Sequence, residues 1–93
     1  MLVAKRCLVG GRVQGVYYRA TARQKAEELA ILGYARNLSD GRVEVLAVGQ
    51  LENVDAFTKW LWQGSPASHV KQVEVVDLAI SDLGALPTSF ASR

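Results

Sequence analysis

Two amphipathic helical stripes, each set between short alternating apolar stretches, limit what this chain can fold into more than any other feature. From Ala20 onward, Ala22, Ala26, Leu29, Ala30 and Gly33 recur at spacings of three and four, while Arg23, Gln24, Lys25, Glu27 and Glu28 cover the other faces. This pattern predicts a helix closed by Gly33 at its C′ position. After Gly49, Asn53 is the expected N-cap of a second helix, in which Val54, Phe57, Trp60 and Leu61 share one face and Gly64 with Pro66 stops the run.

Strands fill the intervals. Lys5 to Val13 carries Cys7, Val9 and Val13 among polar and glycine positions, which suits a strand entering a glycine-flanked loop. Tyr34 to Leu38 and Arg42 to Val48 form an expected hairpin about an Asp40-Gly41 turn. Val70 to Leu78 reads as a further strand, and Ser89-Phe90-Ala91 as a short edge strand. With 93 residues, 49% of them hydrophobic and 22% charged, the chain can build one core, so a single domain over residues 1–93 is expected. The fold class this order predicts is α+β: a ferredoxin-like βαββαβ sandwich with a mainly antiparallel sheet and both helices on one face, plus the C-terminal edge strand.

Charge and composition narrow the function classes. The net charge is +2 and the eleven Lys and Arg are scattered without a basic tract, which disfavours extended nucleic-acid binding and leaves a small anionic ligand open. No stretch approaches the roughly 20 apolar residues of a membrane span, and Met1 to Gly10 lacks the pattern of a secretory leader. A cytoplasmic protein without a membrane partner is expected, and on that footing the Asn37-Leu38-Ser39 glycosylation sequon is ignored. The single cysteine, Cys7, reads as a buried filler. Trp60 is expected to pack inward and Trp62 to lie nearer the surface, with neither in a site.

The segment Gly10-Gly11-Arg12-Val13-Gln14-Gly15-Val16-Tyr17-Tyr18-Arg19 joins a strand to a helix, where main-chain amides lack internal partners. Gly10 and Gly15 match the glycine spacing of a nucleotide-binding P-loop, but Val16-Tyr17 stands where Lys and Ser or Thr would be needed. What remains is a loop whose amides can converge on an anion ahead of a helix dipole, with Arg19 able to meet two phosphate oxygens side by side. No Asp or Glu occurs from Gly10 through Gln24. The plainer alternative is that these glycines only permit a tight turn and that Arg19 is solvated. Asn37 offers both a donor and an acceptor and could hold a water beside a phosphoryl oxygen; its plainer alternative is a turn asparagine bonding its own backbone.

Taken together, Gly11 through Arg19 and Gly33-Tyr34-Ala35-Arg36-Asn37-Leu38-Ser39-Asp40-Gly41-Arg42-Val43, with Gly49 spaced behind them, resemble the two signatures of the acylphosphatases. The likeness spans the chain and includes the Trp60-Leu61 face, the Gly64-Ser65-Pro66 stop, the valine-rich strand and Phe90. It implies a cofactor-free, metal-free enzyme that cleaves the carboxyl–phosphate anhydride of a small acyl phosphate by water attack at phosphorus. Arg19 would bind phosphate, Asn37 would orient water, and the amides of Gln14, Gly15, Val16, Tyr17 and Tyr18 would cradle the phosphate. So sparse a site suits a good leaving group and a loose phosphoryl transition state.

Three positions depart from the family pattern. Leu38 replaces a common threonine, Tyr17 and Tyr18 replace glycine, cysteine or phenylalanine, and His69 replaces a small residue. His69 is expected to be structural or solvent-facing. Two rivals remain: a catalytically idle anion-binding domain of the same fold, and an RNA-recognition domain. The second is disfavoured because Arg42 to Val48 has no aromatic residue to stack a base. A monomer is expected.

Overall fold

A computed structural model of the protein describes all residues, 1–93. The elements run β1 (Leu2–Arg12), α1 (Tyr18–Glu28), β2 (Leu32–Asn37), β3 (Val43–Gln50), α2 (Leu51–Leu61), β4 (His69–Leu78), a short 3-10 turn over Ile80–Leu83, and β5 (Phe90–Ser92). The five strands form one mixed sheet in the order β4-β1-β3-β2-β5, antiparallel except where β5 lies parallel to β2. Both helices pack on one face, which is the expected ferredoxin-like α+β arrangement.

Alternation along each strand decides what faces the helices. Cys7 and Val9 of β1, Ala35 of β2, and Val43, Val45 and Ala47 of β3 are buried against Ala22 and Ala26 of α1 and Val54, Phe57 and Leu61 of α2. Phe90 of β5 closes one end, meeting the Phe57 ring edge-on with centroids 5.7 Å apart. Trp60 stacks on Phe57 at the margin of this core, and Trp62 is exposed, as the sequence suggested. Burial raises the Cys7 thiol to about 11, so it is neutral and shielded at physiological pH.

The opposite face of the sheet has its own centre. Glu44 is only 2% exposed there and accepts hydrogen bonds from Arg6 Nε at 2.7 Å, Arg36 Nε at 2.6 Å and Tyr34 Oη at 2.9 Å. Burial pushes the Glu44 carboxyl up, but the bonds from Tyr34, Arg6 and Arg36 outweigh it and hold the group below the usual carboxylate range. Tyr34 moves the other way, raised by burial and by donating to Glu44.

Most element ends lie one to three residues from those expected, and at three of them a distant contact overrides a local signal. First, α1 does not end at Gly33. Ala30 takes the left-handed conformation (φ 55), with Ala30 N donating to Glu27 O and Ile31 N to Ala26 O, the bonds of a Schellman cap. Gly33 (φ 140) is instead inside β2, where any Cβ would collide with the Leu46 carbonyl of β3. Second, Asn53 lies inside α2, which starts at Leu51 directly behind β3. The Leu51 amide donates to Met1 O at 2.9 Å, so the first residue of the chain supplies an acceptor at that helix start. Third, β5 is Phe90–Ser92, one residue later than expected, because Gly33, Tyr34 and Ala35 pair with Phe90, Ala91 and Ser92.

Candidate active site

The loop after β1 is shaped by a bulge at Gly10/Gly11, where the register against β4 shifts. Gly11 (φ 120) has no room for a Cβ, which would strike the His69 carbonyl. The chain leaves the sheet there, passes Gly15 in the left-handed region (φ 74) and enters α1 through Tyr17 (φ 62, ψ 21).

None of the amides of Gln14, Gly15, Val16, Tyr17, Tyr18 or Arg19 donates to a protein acceptor, and α1 has neither a side-chain cap nor an acidic residue in its first turn. Six consecutive uncommitted N–H groups at a helix start form a surface that suits an anion. Beside them is a cavity of about 350 Å³ lined by Val13, Gly15, Tyr17, Tyr18, Arg19, Ala20 and Ser92. The Arg19 guanidinium has no carboxylate side chain as partner; its Nη1 donates to the main-chain oxygen of Arg93.

Asn37 ends β2, opposite Val43. It shares a strand face with Ala35, which is buried under the helices, so its side chain projects on the helix side beyond the core's edge. It is exposed and makes no side-chain hydrogen bond within the protein, which removes the plainer alternative of an amide engaged by its own turn. Asn37 does not line the cavity itself. It is brought near through β5: Ser92 pairs with Ala35 and Arg93 N donates to Ala35 O, which sets the oxygen reached by Arg19 against the Arg36–Asn37 end of β2.

Long-range hydrogen bonds that sequence reasoning missed hold this end of the molecule together. Gln14 was expected to contribute only its amide, yet its side-chain Nε2 donates to Leu38 O at 2.8 Å and Arg42 O at 2.9 Å, tying the loop to both sides of the hairpin next to Asn37. Buried Ser65 donates from Oγ to Val16 O at 2.7 Å, and Tyr18 Oη donates to Leu61 O at 2.8 Å. These bonds fasten the loop to the C-terminal end of α2. Burial pushes the Tyr18 hydroxyl above its ordinary range, so it stays a neutral donor. Ser65 therefore does more than help stop α2, the role its place beside Gly64 and Pro66 suggests. His69 is exposed at the start of β4, opposite Arg12, and is therefore much closer to the loop in space than in sequence.

Fold and site together define a two-layer α+β domain with an open amide loop and an arginine at one end of its sheet, a construction suited to handling a small phosphorylated molecule. The sequence model of the acylphosphatase family matches residues 5–83. An acylphosphatase from Chromohalobacter salexigens is 57% identical over 72 residues, covering 74% of this chain and 80% of that one. Another from Nitrosococcus oceani is 50% identical over 74 residues, covering 80% and 83%. The crystal structure of acylphosphatase from Bacillus subtilis superposes with a TM-score of 0.90 at 34% identity, covering 100% of this chain and 99% of that one. The chain belongs to the acylphosphatase family and is an enzyme of this type.

Proposed function

We propose that this enzyme hydrolyses the carboxyl–phosphate anhydride of a small acyl phosphate by water attack at phosphorus, with Arg19 and the loop amides holding the phosphate and Asn37 orienting the water. The observation that carries this reading is the run of uncommitted amides from Gln14 to Arg19 beside the Arg19 guanidinium, whose one hydrogen bond within the protein is to the main-chain oxygen of Arg93. Charge-assisted bonds from Arg19 and several amides would hold the phosphoryl oxygens as the bond to the leaving carboxylate lengthens.

The free Asn37 amide could accept from the attacking water through its oxygen and donate to a phosphoryl oxygen through its nitrogen. That fixes the nucleophile in line without a strong base, which a loose transition state does not require. The proton lost by water passes to a phosphate oxygen. Products are inorganic phosphate and a carboxylate, and metal takes no part.

The rest of the reading follows the same surface. The domain acts as a cytoplasmic monomer on a small molecule and not on nucleic acid: Arg6 and Arg36 are engaged by Glu44, and Arg42 by Asp40 and Glu74, which leaves the open sheet face without a free basic stripe. No helix is long and apolar enough to cross a membrane. The test is hydrolysis of benzoyl phosphate in ¹⁸O-labelled water with excess EDTA. Label confined to inorganic phosphate at an undiminished rate is expected; label in benzoate, or loss of activity on chelation, would refute the mechanism.

A further inference from the structure

Tyr17 is the one residue of the loop whose conformation and exposure the phosphate reading leaves unexplained. It enters α1 at φ 62, ψ 21, a region that favours glycine, and it is 84% exposed. Tyr18, next to it, is 1% exposed and bonded through its hydroxyl, whereas the Tyr17 hydroxyl makes no hydrogen bond within the protein. As the N-cap, Tyr17 gives α1 its first main-chain bond, with the Thr21 amide at 3.0 Å and the Thr21 hydroxyl at 2.9 Å both donating to Tyr17 O. A backbone turn at this point needs only a glycine. A large ring kept in a disfavoured conformation, exposed, and lining the same cavity as Gly15 and Arg19 calls for a role at that cavity.

We propose that the Tyr17 ring is a specificity-determining surface for the acyl part of the substrate, favouring planar aromatic acyl groups over small aliphatic ones. This rests on the loop being the phosphate site. An acyl group is joined to phosphorus through a single bridging oxygen, so with the phosphate in the cradle the acyl carbon lies just outside it, within the cavity that the exposed Tyr17 lines together with Gly15 and Arg19. An exposed aromatic ring there gains from stacking on a planar acyl group and has little to gain from a methyl.

The experiment compares kcat/KM for benzoyl phosphate and acetyl phosphate in the wild type, Tyr17→Gly and Tyr17→Phe. Glycine is the residue this backbone prefers, so the melting temperature of Tyr17→Gly should not fall and the comparison is made on folded protein. The benzoyl-to-acetyl ratio should drop by about three- to tenfold in Tyr17→Gly. It should be retained in Tyr17→Phe. Binding of phenylphosphonate against methylphosphonate, followed by calorimetry on the same three proteins, should show the same loss and retention. Equal ratios in the wild type and Tyr17→Gly, in turnover and in binding, overturn the proposal. Turnover of neither acyl phosphate would defeat the catalytic reading instead, and the phosphonate comparison alone would then decide the role of Tyr17. Failure of both phosphonates to bind overturns it along with the cradle.

Discussion

Replacing Gln14 with methionine keeps the length of the side chain and removes the donors that bind the loop to the hairpin. Each of the two bonds, at 2.8 and 2.9 Å, is worth about 0.5–1.5 kcal/mol net. Neither acceptor is orphaned: Leu38 O still receives Gly41 N, and Arg42 O still receives Leu38 N. The loss should therefore stay near the sum of two ordinary bonds, about 1–3 kcal/mol, without a further penalty for buried unpaired carbonyls. For a domain of this size that is a fall of roughly 4–24 °C in melting temperature. Activity should suffer in a particular way. The amides and Arg19 stay on the loop, so KM should change little, whereas Asn37 is freed to drift relative to the phosphate and kcat should fall about tenfold or more. Urea unfolding and steady-state hydrolysis of benzoyl phosphate, measured on the same preparation, give both numbers. A stability loss with kcat untouched would show that the brace holds the fold and not the geometry of catalysis.

Further consequences concern the scaffold. Gly33→Ala places a Cβ against the Leu46 carbonyl, 2.7 Å from its carbon, and should separate β2 from β3, giving a protein that is unfolded or several-fold poorer in soluble yield, checked by circular dichroism. Glu44→Gln removes a carboxylate held below its ordinary range, whose stabilisation is full above the unfolded value and is lost as pH falls through the folded one. The variant should lose about 2 kcal/mol near pH 7 and much less near pH 3, read from urea unfolding at both pH values. The Cys7 thiol, raised to about 11 and fully buried, should react with a thiol reagent at pH 8 only as fast as the protein opens; prompt labelling of folded protein would contradict the packing.

The order of elements was readable because both helices show the 3.6-residue spacing and the strands the two-residue one, whereas position alone left Arg19 and Asn37 open and only the likeness to the acylphosphatase signatures gave them roles. The rest depended on partners far along the chain. Ala30 and not Gly33 caps α1 because β2 must approach β3 closely, a demand visible only once Leu46 is in place. Local chemistry favoured Asn53 as a helix start, but the Met1 carbonyl supplies an acceptor for the Leu51 amide. Gln14, Ser65 and Arg19 bond across 24 or 28, 49 and 74 residues respectively, and no local pattern announces such contacts. Tyr17 was visible as a departure from the family pattern, but its left-handed backbone and its exposure were not.

The division of labour between Arg19 and Asn37 is tested most directly by measuring kcat, KM and the inhibition constant of inorganic phosphate for the wild type, Arg19→Ala and Asn37→Ala with benzoyl phosphate. Arg19→Ala should weaken phosphate inhibition and lower turnover together. Asn37→Ala should keep the phosphate constant within a few-fold while kcat falls by about 10²–10³. Two folded variants with wild-type kcat, or an Asn37→Ala that loses phosphate binding in step with turnover, would contradict the assignment.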